Sequence, residues 1–505
     1  MKSISKIGLM LLLLVGLGIS CTKNFEEMNT NPNSPTDVPA LNIFTNVCQQ
    51  AADNWLGGWI QHTYLGCWAQ HWAKIQYIDE DKYQVRAGQP DGWFNMAYIY
   101  NKNLMIVMDK TANYAETATQ DDDGLYAAAL VLSVWNWSQL TDCFGDVPYS
   151  EALQGFEADG DLTPAYDTQE SIYKDLINNK LVEANNILKD LSLNFGAGDL
   201  YFGGDPVKWR KFSNSLRLRL LNRASEAWSE ADAKIAEMLG NPALYPLMES
   251  NADNAKLAYP GALPYRNPIF NTLYTRTDQG ISQTAVNFMK DRNDPRLPVF
   301  AQPRAKDGTY VGHQNGAASD PGVANRSLLG IRIAYTPAAP VFLMQYAEVE
   351  FYKAEYYARK GGNAKAHYEL GIRASLDNWG VGANADAYLA EEKVAFNASK
   401  AVELITEQKW MAIFGQGVEA FAEVRRTHTP SRIFEFELEA TEYPGRGLPI
   451  RLPYSDAEQS ANGISLNEAI ARQGVEHVDN GMFGTRVWWD VRPNPIPTVK
   501  DPQDD

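Results

Sequence analysis

Apolar residues from Leu125 to Pro148, LYAAALVLSVWNWSQLTDCFGDVP, recur at helical spacing on two faces at once. Ala127, Leu130, Val134 and Trp137 share one face, and Ala128, Val131 and Trp135 share a second beside it. A helix that is apolar on both faces is predicted to be buried among other helices. Gly145 is placed to end it and Pro148 to prevent its continuation. Upstream, Ala40 to about Lys74 is also helical, with an interruption at Gly57-Gly58. The pairs Trp55–Trp59 and Trp68–Trp72, each at i,i+4, predict one buried tryptophan face. Gln76–Pro90 loses the period and reads as a loop, followed by a helix from about Gly92 to Lys110.

After the central helix, Asp167 is expected to cap a helix, with Glu170 completing a capping box. Gly203-Gly204-Asp205-Pro206 reads as a loop, an N-cap and a first-turn proline. The helix it opens carries Trp209, Phe212, Leu216 and Leu220 on one side and Arg217, Arg219 and Arg223 on others. Regular spacing of the arginines predicts ion pairs to neighbouring helices, Arg219 with Glu348 in particular. Residues 251–340 lose the helical period and are dense in Pro, Gly, Asn and Thr, with Leu328–Ile333 a candidate strand. Helical text returns at about Ala339, with Leu343, Ala347, Phe351, Ala354 and Ala358 on a stripe that Gly361 stops. Asn363–Trp379 makes its partner, and Ala401–Phe414 with Val418–Arg426 a further pair. The fold class is therefore mainly α: a tetratricopeptide-like scaffold of about four helix pairs. A loop-rich insertion at about 251–340 carries a few short strands and reads as a recognition element held on the scaffold.

Charge and composition narrow the function. The formal net charge of -17 disfavours nucleic acid as a partner. None of the four cysteines forms a C-x-x-C pair, and Cys48, Cys67 and Cys143 are read as buried thiols. His62 and His71 lack ligand spacing, and no metal site or cofactor is expected. Asp159, Asp161, Thr163 and Glu170 fall at calcium-loop positions, but Pro164 stands where such a loop needs Gly. Most of the 13 Trp and 25 Tyr are expected in the core, with a few left as flat faces for sugar rings.

The N-terminus has Lys2 and Lys6, an apolar run Ile7–Ile19 and then Ser20-Cys21, a signal-peptide pattern over residues 1–20. A small residue before the cysteine resembles a lipoprotein processing site, although Leu17 stands four residues before Cys21 rather than three. Cys21 is the expected lipidation site, with residues 21–40 a polar tether and 41–505 a single domain.

Several stretches resemble the SusD/RagB family of nutrient-binding outer-membrane lipoproteins, in particular its divergent second branch. They are the FEEMNTNPN leader, FGDVPYSEA, TPAYDTQESIY, KWRKFSNSLRLRL, DPRL, YAEVEFYKAE and the terminal RVWWD. The resemblance implies a lipid-anchored outer-membrane protein facing the cell exterior, without enzymatic activity. It would capture a glycan for a SusC-like TonB-dependent transporter. A peptide-binding member or a helical-repeat scaffold without a small ligand are the alternatives, and a glycosidase, which needs two carboxylates about 5–10 Å apart, has no supporting motif. Tyr77 and Tyr274 are the expected flat faces, Asp79 and Arg266 the polar groups, and Trp379, just before Gly380, a further exposed ring.

Overall fold

The computed structural model describes residues 37–112, 120–155, 160–474, 481–493 and 495. Cys21 and the rest of the N-terminal leader lie outside the described residues, as does Asp159. Helix dominates. In chain order come α1 (Ala40–Trp55), α2 (Gln89–Ala112), α3 (Gln120–Phe144), α4 (Gln169–Asp175), α5 (Leu181–Leu188) and α6 (Pro206–Ala224). They are followed by α7 (Pro268–Leu273), α8 (Tyr346–Lys360), α9 (Ala364–Asn378), α10 (Ala401–Ala412) and α11 (Gly417–Thr427). Among the described residues, helix pairs form from α2 with α3, α5 with α6, α8 with α9, and α10 with α11. Strands are short and antiparallel: β1 (Trp72–Lys74), β2 (Val147–Pro148), β3 (Tyr166–Asp167), β4 (Ala255–Leu257), β5 (Gln279–Ile281) and β6 (Val341–Met344). They pair as β1 with β5, β2 with β3 and β4 with β6.

Helix α3 sits in the middle, as its two apolar faces predict, and packs on α1, α2, α5, α6 and α11. Ala127, Ala128, Val131 and Leu132 have no exposed surface. The Gly145 backbone turns left-handed at φ 80°, and its N–H donates to the Thr141 carbonyl at 2.7 Å, which closes the helix. Asp205 caps α6 as expected, accepting from Val207 N at 2.9 Å with Pro206 in the first turn. Asp167 does something else. Thr168 is the cap of α4, while the Asp167 carboxylate accepts from the Tyr149 and Ser150 N–H groups at 3.0 and 2.8 Å. One residue of register separates the two roles.

Two boundaries also move. Leu343 belongs to strand β6, and the capping box of Gln345 and Glu348 starts α8 at Tyr346. Ile331–Ala334 is a turn of helix, while Leu328 and Leu329 make isolated bridges to Gly280 of β5 and to Ala301.

Where α3, α6, α8, α10 and α11 meet, the core is ionic. Arg219 donates to Glu348 at 2.5 Å, and Arg223 bonds Asp142 and Glu419. Lys409 reaches Glu355 at 3.0 Å and Glu423 at 2.6 Å, and Arg426 reaches the same two at 2.7 and 2.8 Å. Every one of these side chains is buried. The arginine pairing expected from α6 spacing is thus present, and it extends across the helix pairs. Arg217 instead donates to the Ile177 carbonyl at 3.0 Å. Removing one partner of a buried pair leaves an uncompensated charge, so this network ties the helix pairs to one another.

Candidate functional site

The break at Gly57-Gly58 builds the first wall. Helix α1 ends at Trp55, and the chain resumes as a wide π-type turn, Ile60–Leu65. This rephases the tryptophans. Trp55, Trp68 and Trp72 are buried as expected, but Trp59 is 43% exposed. A Cβ on Gly57 would lie 2.0 Å from the Pro268 ring, so only glycine lets α7 close against this break.

Strands β1 and β5 join the scaffold to the 251–340 insertion, with Lys74 opposite Gln279. The chain leaves β1 through Ile75 and Gln76, whose N–H groups donate to the Asp278 carbonyl at 2.9 and 3.2 Å. Tyr77 then adopts a left-handed φ of 54° and turns a ring that is 63% exposed outward. Between these walls lies a cavity of about 300 Å³, lined by residues that include Trp59, His62, Lys74, Tyr77, Arg276 and Gln279. Arg86 sits over the Trp59 ring at 5.7 Å and Arg276 over the Tyr77 ring at 5.6 Å.

The floor is polar. Arg276 grips both Asp278 oxygens, at 3.0 and 3.1 Å. Burial alone would raise the Asp278 carboxyl, but the Arg276 hydrogen bonds and the Lys74 charge outweigh it and hold it below the usual range. Gln279 Nε2 lies 3.0 Å from His62 Nδ1 and 3.2 Å from Thr63 Oγ1. Burial, and then the Lys74 charge, push His62 down to about 3, so its ring is neutral.

A cavity with two accessible aromatic faces and a hydrogen-bonding floor can hold a pyranose ring, stacking on its CH face and bonding its hydroxyls. A larger cavity, about 670 Å³, lies between α2, α3 and the 149–154 loop. Its Tyr126 and Tyr149 hydroxyls are already bound to Glu183 and Asp175, at 2.9 and 2.5 Å.

The profile of a family described as "Starch-binding associating with outer membrane", SusD-like_2, matches residues 32–455. The chain belongs to the SusD-like family. Solved structures agree. A SusD homologue from Bacteroides fragilis is 26% identical with a TM-score of 0.74, over 90% of this chain and 99% of that one. A chitin-binding SusD homologue from Flavobacterium johnsoniae is 25% identical, with a TM-score of 0.73 over 90% and 98%. A chitin-binding protein, also 25% identical, gives a TM-score of 0.76 over 90% and 100%. No curated protein matches the chain.

On this SusD-like scaffold the sequence-derived ligand candidates separate into three places. Tyr77 lines the cavity, and Asp79 is exposed in the same loop without lining it. Arg266 and Tyr274 form a ladder along α7. The guanidinium lies 5.8 Å over the Phe270 ring, which stacks on Tyr274 at 5.2 Å and 18°. Tyr274 is 54% exposed. Trp379, expected exposed, is buried at 7%. Phe300 from the insertion and Phe342 from β6 pack edge-on against it at 5.0 and 6.1 Å and cover the ring. Sequence reasoning missed Trp59, Lys74 and Arg86. The signal for Trp59 was available: two glycines break the helix whose phase would have buried it. Cys48, Cys67 and Cys143 are buried free thiols, as expected. Asp161, at one of the calcium-loop positions, closes a local turn on Thr163 N at 2.7 Å.

Proposed function

We propose that this SusD-like protein is a cell-surface lipoprotein that binds a glycan and delivers it to a SusC-like TonB-dependent transporter in the outer membrane. The observation that carries this reading is the cavity between Trp59 and Tyr77. Its aromatic rings face solvent, while its floor supplies donors and acceptors. Tyr77 receives the sugar, with Asp79 at the same loop, and the Arg266–Tyr274 ladder extends the platform for a longer chain. The two chitin-binding structural relatives make chitooligosaccharides the first ligands to try.

No helix of the described residues is long and apolar enough to cross a membrane. Attachment through acyl chains on Cys21 supplies the anchor in this proposal. Cys21→Ala is expected to leave the protein uncleaved or released; normal surface abundance of the variant would end the anchor assignment. For binding, calorimetry on Tyr77→Ala and Tyr274→Ala, with circular dichroism to confirm folding, tests the site. Parent-like affinity in both folded variants would place the ligand elsewhere.

A further inference from the structure

Lys74, Arg86, Arg276, Glu80 and Asp278 are the charged residues lining the 300 Å³ cavity. Their pairing does not close. Glu80 is held by Arg86. Asp278 is held through both oxygens by Arg276, at 3.0 and 3.1 Å. Among the described residues Lys74 is left with one 3.5 Å ion-pair contact, to that same Asp278, although its side chain is only 5% exposed. A buried ammonium needs a close counter-charge, and a carboxylate already gripped by a guanidinium supplies little.

The groups behind Lys74 do not complete the balance. Asp81 accepts from Lys74 N at 3.2 Å and from Asn315 Nδ2 at 2.7 Å. Burial pushes its carboxyl up to about 7, so near neutral pH it carries only part of a charge. His62 is neutral, and its Nδ1 lies 3.0 Å from both Gln279 Nε2 and Thr63 Oγ1; with the Gln279 amide donating to Nδ1, the ring proton is assigned to Nε2. That Nε2–H is buried without a partner among the described residues. The cavity floor therefore carries a surplus cation and an unused donor, on a protein of net charge -17. A neutral sugar would satisfy the donor and leave the cation uncompensated; an anion satisfies both.

We propose that the glycan taken by this cavity is acidic, with the carboxylate or sulfate of one sugar unit seated at Lys74 and His62 while the ring lies between Trp59 and Tyr77. The inference rests on the cavity being the glycan site, and the experiment separates the two claims. Calorimetry on the mature protein uses three probes of similar length: a chitooligosaccharide, an oligogalacturonate and a sulfated galactan oligosaccharide. At least one acidic probe is expected to bind about tenfold or more tighter than the neutral one. Whichever arm wins identifies the anion. Lys74→Gln should erase that advantage, bringing the acidic and neutral affinities together. Arg276→Gln, at a half-exposed position, keeps the test available should Lys74→Gln not fold, and should cut acidic binding several-fold. If the parent favours the chitooligosaccharide and Tyr77→Ala weakens it, the site stands and the acidic preference falls. If Tyr77→Ala and Trp59→Ala leave every affinity intact, or no probe binds, both claims fall.

Discussion

Two clusters of charge in this molecule are built from the same residue types and end in opposite conditions. At the junction of the helix pairs, Lys409 lies between Glu355 at 3.0 Å and Glu423 at 2.6 Å, and Arg426 grips the same two carboxylates. On the cavity floor, Lys74 has, among the described residues, a single ion-pair contact, at 3.5 Å to a carboxylate shared with Arg276. Both lysines are buried. The difference teaches that burial alone does not set the two lysines apart; incomplete pairing next to open space does. The closed network holds helices, and the open one faces a cavity.

The comparison breaks most visibly if the closed network is opened. Glu355→Gln strips Lys409 and Arg426 of a shared partner and should cost about 3–5 kcal/mol in chemical denaturation, with glycan affinity unchanged. Glu348→Gln should also lower stability, since Arg219 then loses its 2.5 Å partner. An unchanged denaturation midpoint in both would remove the network from the account. Next in size, Trp379→Ala should cost about 3 kcal/mol by leaving a void between Phe300 and Phe342, again without altering binding. A selective loss of affinity there would return Trp379 to the ligand candidates.

The pH dependence has two limbs of opposite sign. Burial works against ionised Glu355, but the Arg426 and Lys409 charges bring it down from 4.5 to about 2. Its contribution is present above pH 4.5 and is lost as pH falls through 2. Asp490 goes the other way: burial raises it from 3.8 to about 7. Its protonated form favours the folded state, so that contribution is whole below 3.8 and is lost as pH rises through 7. Asp490→Asn should therefore gain about 2 kcal/mol on the parent at pH 8 compared with pH 5, read from urea midpoints. No pH-dependent difference would show that Asp490 ionises freely.

The smallest effects belong to the rim. Tyr77→Ala and Trp59→Ala should each weaken glycan binding by about 1 kcal/mol, several-fold in Kd. Tyr274→Ala, off the cavity, should lose about half as much, and only with glycans long enough to reach α7. Equal losses on a short ligand would place the first sugar over the ladder instead.

Much of the scaffold was legible because helical periodicity and caps are local. The two apolar faces of α3, the Asp205-Pro206 start of α6 and the Gly361 stop all needed only nearby residues. Arg219 with Glu348 was also readable, since buried arginine demands a carboxylate and the third helix pair was in view. The other partners of the network come from four separate helices, and no spacing announces them. At the site, Tyr77 followed from the loss of period in its loop. Trp59 was lost because the π-type turn after Gly57-Gly58 changes the helical phase, and Trp379 because Phe300 and Phe342, distant in sequence, cover it. Lys74 reads in the sequence as the end of a helix; it stands in strand β1 instead, and its shortage of partners shows only when β5 is laid beside it.

None of the members of the junction network comes from residues 251–340 or from the loop after β1. Its carboxylates and cations lie on α3, α6, α8, α10 and α11. The insertion meets the scaffold through contacts of its own: short ladders, the glycine-to-proline contact at Gly57, and Arg292 and Arg296, which bond Glu407 at 2.7 Å and Gln408 at 3.1 Å on α10. Mutational drift in the insertion can therefore change what is recognised without touching the ion pairs that tie the helix pairs to one another. A lineage built this way can acquire new diets by rewriting one surface, and can inherit its frame unchanged.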